Sequence, residues 1–280
     1  MMKILITGAN GQLGTELRNL LDERGVAYDA FDAKDMDITD QQAVDAKFDA
    51  LKPTVVYHCA AYTAVDKAED EGKQVNWRVN EEGTRNVAAA AKRVGAKLVY
   101  ISTDYVFDGT NSDEYQVDDP TNPKNEYGKA KLAGERAVKE KTDDYYIIRT
   151  SWVFGKYGKN FVYTMLRLAK DHDKLTVVDD QVGRPTWTRT LAEFMTYLVD
   201  HKAPFGIYQL SNEGSCSWYE FAKEILKNQD IDVAPVPSEA YPQKAYRPRY
   251  SIMSLDKAEE TGFRIISWQE ALKGFLSLNN

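Results

Sequence analysis

The chain has 280 residues, 43% of them hydrophobic and 28% charged, with a formal net charge of −7; such proportions exclude a disordered or fibrous protein. At this length roughly two domains or one large α/β domain are expected, burying about 75% of the unfolded chain's surface without a disulfide or metal staple. No long Lys/Arg block occurs, which excludes nucleic acid as the main partner, because neutralising phosphates needs a basic face.

From the N-terminus, Lys3-Ile4-Leu5-Ile6 reads as a strand stopped by Gly8, and residues 14–23 as a helix with Leu17, Leu20 and Leu21 on one face. Strands at 27–32, 54–57, 97–101 and 145–148 alternate with helices at 43–51, 87–94 and 127–140. The strand runs are apolar without alternation, which belongs to strands buried on both faces. This rhythm predicts an α/β fold of the Rossmann type, a doubly wound parallel sheet, with a smaller C-terminal substrate-binding domain. Beyond Thr150 the rhythm breaks into a helix at 160–171, a strand at 175–178, a helix at 190–200, a strand at 207–210 and a helix at 218–227. Residues 235–248, with Pro235, Pro237, Pro242 and Pro248, read as an ordered loop. Cys59 and Cys216 lack metal-ligand spacing and read as free thiols. No run approaches the roughly 18 apolar residues of a membrane span, and no signal-peptide core follows Met1-Met2-Lys3, so a cytoplasmic protein is expected.

Three groups of residues carry chemistry. Gly8-Ala9-Asn10-Gly11-Gln12-Leu13-Gly14 lies between the first strand and helix, where glycines permit a tight turn and the helix N-terminus offers free N–H groups to a pyrophosphate. Asp32 ends the second strand and can accept from adenosine ribose hydroxyls, although Lys34 suits a 2′-phosphate, so NADH and NADPH both stand. Asp37 and Ile38 are candidates to bracket the adenine. The second group is Tyr127-Gly128-Lys129-Ala130-Lys131: Tyr127 and Lys131, at i and i+4, share a helix face, and an ammonium beside a phenol is expected to lower its pKa. The third is Thr103 in Ser102-Thr103-Asp104-Tyr105, at the carboxyl edge of the fourth strand, where open α/β sheets bind ligands. Residues 1–150 are thus the expected NAD(P)-binding domain, with part of 172–204 returning to it, and 151–280 the mainly substrate-binding region.

Taken with residues 60–69, 127–135 and 149–153, and with Asp180-Gln181, Gly183, Pro185-Thr186 and Arg247-Pro248, these segments resemble the dTDP-4-dehydrorhamnose reductases, a family of extended short-chain dehydrogenases/reductases. The resemblance implies reduction of the 4-keto group of a dTDP-linked 6-deoxy sugar by NADPH or NADH. It makes Tyr127 the proton donor, Thr103 the residue that orients the carbonyl, and Lys131 the holder of the nicotinamide ribose. Ala60, Ala61 and Tyr62 would line the cofactor, and Asn80 would support the site. Thr63, Val65, Asp104, Tyr105 and Trp152 would meet the nucleotide sugar, and Arg247 its diphosphate. Asp66 and Glu69 read as structural carboxylates, and His58 stands where many relatives have asparagine. Some relatives dimerise around Mg²⁺ bound by glutamates; here Glu16 matches one ligand, but Arg189 takes the place of a second and the tail 276–280 has no carboxylate. No metal is therefore expected, and a monomer or weak homodimer. A sugar-nucleotide epimerase or dehydratase of the same fold is the rival enzyme, although Tyr105 stands where a dehydratase carries glutamate. A non-catalytic regulatory relative that binds a partner enzyme is the rival of another class.

Overall fold

β1 (Ile4–Thr7) is buried from end to end in the computed structural model, which describes residues 2–278. Successive strand residues point to opposite faces, so a strand apolar at every position needs helices on both sides. Leu5 enters a core with Phe48, Val87 and Val138, whereas Ile4 and Ile6 enter another with Leu17, Leu20 and Leu198. The chain continues through α1 (Gln12–Glu23), β2 (Tyr28–Phe31), α2 (Gln41–Leu51), β3 (Val55–His58), α3 (Thr84–Val94), β4 (Lys97–Thr103), α4 (Glu126–Lys141) and β5 (Tyr145–Thr150). After an excursion, α5 (Thr188–Asp200) packs against α1, and β6 (Gly206–Gln209) joins the sheet beside β5. The six strands are all parallel in the order β2-β1-β3-β4-β5-β6. Successive strands are added in one direction from β1 to β2 and in the other from β3 onward, and that switch point between β1 and β3 opens a crevice at the strands' carboxyl ends.

The rest of the C-terminal region forms a third core of Phe154, Phe221, Trp268 and Phe275. Around it lie the helices Phe161–Leu168, α6 (Trp218–Leu226) and α7 (Trp268–Ser277). Ser217 with Glu220 and Ser267 with Glu270 form capping boxes that fix where α6 and α7 begin. The expected strand near 175–178 lies outside the main sheet, pairing as Lys174–Val178 with Asp232–Val236. That pairing corrects the reading of Pro235 as loop. Proline lacks an N–H, but a strand of a two-stranded ribbon has a free edge and tolerates the loss. Among the described residues no helix is long and apolar enough to cross a membrane.

Candidate active site

A cleft of about 430 Å³ opens at the carboxyl ends of β1, β3, β4 and β5. On one side Gly8 adopts φ +64°, and a Cβ there would lie 2.6 Å from the backbone of Ala60; a Cβ on Gly14 would lie 2.2 Å from the Gly8 carbonyl. These two glycines let the turn, α1 and the end of β3 meet. The N-cap of α1 is Gly11 and no side chain caps it, so the first N–H groups of the helix are left for an anion. Gly11, Gln12 and Leu13 reach the cleft, as do Ala60 and Ala61. That cradle fits a dinucleotide pyrophosphate. Gln12 also reaches the C-terminal region, accepting from Asn160 at 3.0 Å and donating to the Val153 carbonyl at 3.4 Å.

Asn10 stands beside the cradle, donating to Asp32 Oδ2 at 3.0 Å while Arg18 donates to its own oxygen at 3.0 Å. The Asp32 carboxylate is thereby held against the glycine turn. Asp37 accepts from the N–H and hydroxyl of Thr39 and closes its own turn. Ile38 is 6% exposed and packs beneath Gly83. Asn80, fully buried on a π-helical stretch (Arg78–Gly83), accepts from the N–H of Tyr62 at 3.1 Å and donates to its carbonyl at 2.9 Å. It fixes the segment that follows β3 from behind.

Thr103, Tyr127 and Lys131 come together in the cleft wall. Asn125 caps α4 by accepting from Gly128 at 2.7 Å, and Gly128 is required because a Cβ would lie 2.2 Å from the Tyr105 carbonyl. The Thr103 hydroxyl donates to Asp104 at 3.0 Å, accepts from the Tyr105 N–H at 3.2 Å and meets the Tyr127 phenol. Lys131 is 2% exposed, with its ammonium 4.1 Å from the centroid of the Tyr100 ring. Burial pulls its pKa down to about 7, partly opposed by the charge of Glu135. The phenol's pKa stands above its ordinary value, not below it as the lysine spacing led one to expect. Burial raises the pKa of Tyr127, the nearby Asp104 adds to the rise, and the contact with Thr103 opposes it. Asp104 is itself buried, which pushes its pKa up to about 6 against hydrogen bonds from Ser251 and Thr103.

On the other side of the cleft stand Thr63, Val65, Tyr105 and Trp152. Trp152 holds a left-handed backbone, φ +48°, and its ring lies against Gly183 and stacks on Trp218 at 3.5 Å with 10° between planes. Arg247 donates to Asp66 at 2.7 Å and lies over the Tyr105 ring, while its buried Nη1 has no partner. Asp66 also accepts from the Ala245 N–H and Glu69 from the Glu126 N–H, so both tie loops to this wall.

His58, at the end of β3, is 1% exposed and bonded through Nδ1 to Thr7 at 2.6 Å and through Nε2 to Thr84 at 3.1 Å. Burial lowers its pKa from 6.5 to about 3. In that window the unfolded chain binds a proton that the folded chain does not, so stability falls as pH falls, by up to about 1.4 kcal/mol per pH unit. His58→Asn is expected to remove this part of the acid destabilisation, checked by urea unfolding across the same pH range; an unchanged slope contradicts it.

Glu16 is buried on α1 and accepts from Thr188 at 3.1 Å, while Arg189 forks onto Glu23 at 3.0 and 2.7 Å and also reaches Glu193 at 2.7 Å. The guanidinium is thus committed to carboxylates of its own chain. Of the tail considered for a metal, Asn279 and Asn280 lie outside the described residues. Cys59 lines the cleft, where burial pushes its thiol pKa up to about 12. Trp218, Ser151 and Glu135 have no role assigned from the sequence, although Ser151 and Glu135 lie within segments that carry the resemblance. The Ser-x-x-Glu pattern at Ser217 marks a helix start and places an aromatic at the first turn, but only the fold brings it to Trp152.

A family profile described as "RmlD substrate binding domain" matches residues 2–279. The spore coat polysaccharide biosynthesis protein SpsK of Bacillus subtilis (strain 168) is 45% identical over 278 residues, 99% of this chain and 97% of that protein. A dTDP-4-dehydrorhamnose reductase of Streptomyces griseus is 44% identical over 277 residues, 96% of this chain and 91% of that protein. The crystal structure of dTDP-4-dehydrorhamnose reductase from Bacillus anthracis str. Ames in complex with NADP matches with a TM-score of 0.96 at 44% identity, covering 99% of this chain and all of that one. With the six-stranded parallel sheet and this cleft, such similarity along the whole chain means that it belongs to the dTDP-4-dehydrorhamnose reductase (RmlD) family of extended short-chain dehydrogenases/reductases.

Proposed function

We propose that this chain is an NADPH-dependent reductase that converts dTDP-4-dehydrorhamnose (dTDP-4-dehydro-6-deoxy-L-mannose) to dTDP-L-rhamnose, in the supply of nucleotide sugars for cell-surface polysaccharide. The observation that carries the reading is the convergence of Thr103, Tyr127 and Lys131 in the same cleft as the glycine cradle. The relative solved with NADP supports NADPH as the reductant. Gly8, Asn10, Gly11, Gln12, Leu13 and Gly14 would hold the dinucleotide, with Asp32 at its adenosine end and Ala60 and Ala61 along its length. Residues 1–150 together with α5 and β6 make up the cofactor half, and most of 151–280 the substrate half.

Bound there, the cofactor supplies a hydride to the carbonyl carbon. Tyr127 donates its proton to the carbonyl oxygen. Its raised pKa keeps the phenol protonated near neutral pH, and an alkoxide is basic enough to take that proton. Thr103 turns its one hydroxyl proton from Asp104 to the same oxygen and orients it. The Lys131 ammonium favours the phenolate left behind, a function it loses as pH rises through about 7. Thr63, Val65, Tyr105 and Trp152 flank the sugar, Asp104 orients Thr103, and the unpartnered Nη1 of Arg247 suits an oxygen of the diphosphate. Mixing the protein with NADPH and dTDP-4-dehydrorhamnose tests this by absorbance. One NADPH should be consumed per sugar converted, whereas an epimerase or dehydratase, or a non-catalytic relative, leaves NADPH intact.

A further inference from the structure

Arg149 and Glu135 form an ion pair buried on both sides, with side chains 3% and 2% exposed. Arg149 Nε and Nη2 donate to the two carboxylate oxygens at 2.9 and 2.8 Å, and the Ser102 hydroxyl donates to one of them at 2.5 Å. The remaining guanidinium nitrogen donates to the Val117 carbonyl at 3.0 Å. Burying such a pair is poorly repaid in stability, since apolar residues of similar volume often do as well. What it does supply is geometry.

Glu135 lies on α4 one turn beyond Lys131, so Tyr127, Lys131 and Glu135 run along one face at i, i+4 and i+8. Its partners Ser102 and Arg149 are opposite each other on β4 and β5, and the next pair in the register is Thr103 and Thr150. Both threonines line the cleft. The helix is pressed onto β4, for a Cβ on Gly134 would lie 2.4 Å from the Tyr100 hydroxyl.

We propose that Glu135 is a positioning residue for the reduction: its bridge to Ser102 and Arg149 sets the Tyr127–Lys131 face of α4 in register with Thr103. The inference rests on the reading of the cleft given under Proposed function. A second consequence is electrostatic. Lys131 lies one helical turn from Tyr127 and from Glu135, and is faced by Tyr100 of β4, by His58 of β3 and by the following Cys59. Glu135 is the carboxylate of that set, and its charge favours the ammonium.

The test uses Glu135→Gln, which keeps size and an acceptor for Ser102 but loses the charge, and Arg149→Lys, which keeps the charge but loses the fork. Thermal unfolding and NADPH-binding stoichiometry report the folded fraction. In both variants kcat per folded molecule is expected to fall on the order of 10²-fold, the cost of misplacing reacting groups, with KM for the nucleotide sugar nearly unchanged. In Glu135→Gln the Lys131 titration, followed by NMR of ¹³C-labelled lysine and assigned with Lys131→Met, is expected to move to lower pH. Wild-type kcat in Glu135→Gln overturns the proposal. If the wild type itself does not turn over, the substrate reading fails instead, and the lysine titration decides: an unmoved Lys131 overturns the positioning role. Should Glu135→Gln not fold, Arg149→Lys carries the kcat test, and wild-type kcat there overturns the proposal equally.

Discussion

Tyr127→Phe is expected to lower kcat by on the order of 10³-fold, within the range that a positioned general acid contributes, while NADPH affinity changes little. The substitution deletes one hydroxyl and keeps the ring. The edge-on contact with Tyr105, at 6.0 Å between centroids, survives, as does the cap of α4 through Asn125 and Gly128. What is lost is the proton that burial and Asp104 hold on the phenol and that Thr103 helps to orient. Steady-state kinetics with NADPH titration separates the two quantities. A variant that keeps near-wild-type turnover contradicts the role given to Tyr127.

Lys131→Met is expected to abolish turnover and yet stabilise the fold. The ammonium sits at 2% exposure on the Tyr100 ring, and its pKa is pulled from 10.5 to about 7. The sign follows from proton counting. Between those two values the unfolded chain binds a proton that the folded chain does not, so wild-type stability rises with pH through the window. Below about 7 both states carry the charge, and its burial opposes folding in full. Methionine fills similar space without charge. The variant should therefore unfold at higher temperature than the wild type at pH 6, by several degrees, given about 2–4 °C per kcal/mol for a chain approaching this size. The advantage should shrink as pH rises towards 10. Calorimetry at several pH values checks both parts, and a Tm below wild type at pH 6 contradicts the argument. Such a trade of stability against activity is usual where a charged group is held in a site for its chemistry.

The parallel sheet was legible because Ile4–Thr7, Val55–His58 and Tyr145–Thr150 lack alternation, and only burial on both faces accounts for that. The cradle was legible from glycines placed between a strand and a helix, and the Tyr127–Lys131 pair from helical spacing. Long-range electrostatics was not. The phenol's pKa depends on Asp104 and on depth, so the local lysine rule gave the wrong direction. The stack of Trp152 on Trp218 and the pairing of Arg247 with Asp66 join residues far apart in the chain, and no periodicity encodes such contacts. Pro235 misled because proline marks a break only where its missing N–H is needed.

The decisive measurement is isotopic. NADPH carrying deuterium at the transferred position is mixed with the protein and dTDP-4-dehydrorhamnose, and the sugar product is examined by NMR and mass spectrometry. One deuterium at carbon 4 of dTDP-L-rhamnose, absent with Tyr127→Phe over the same interval, is the expected result. Deuterium that stays on the cofactor while the wild-type protein is folded and binds NADPH contradicts a reductase built on Thr103, Tyr127 and Lys131.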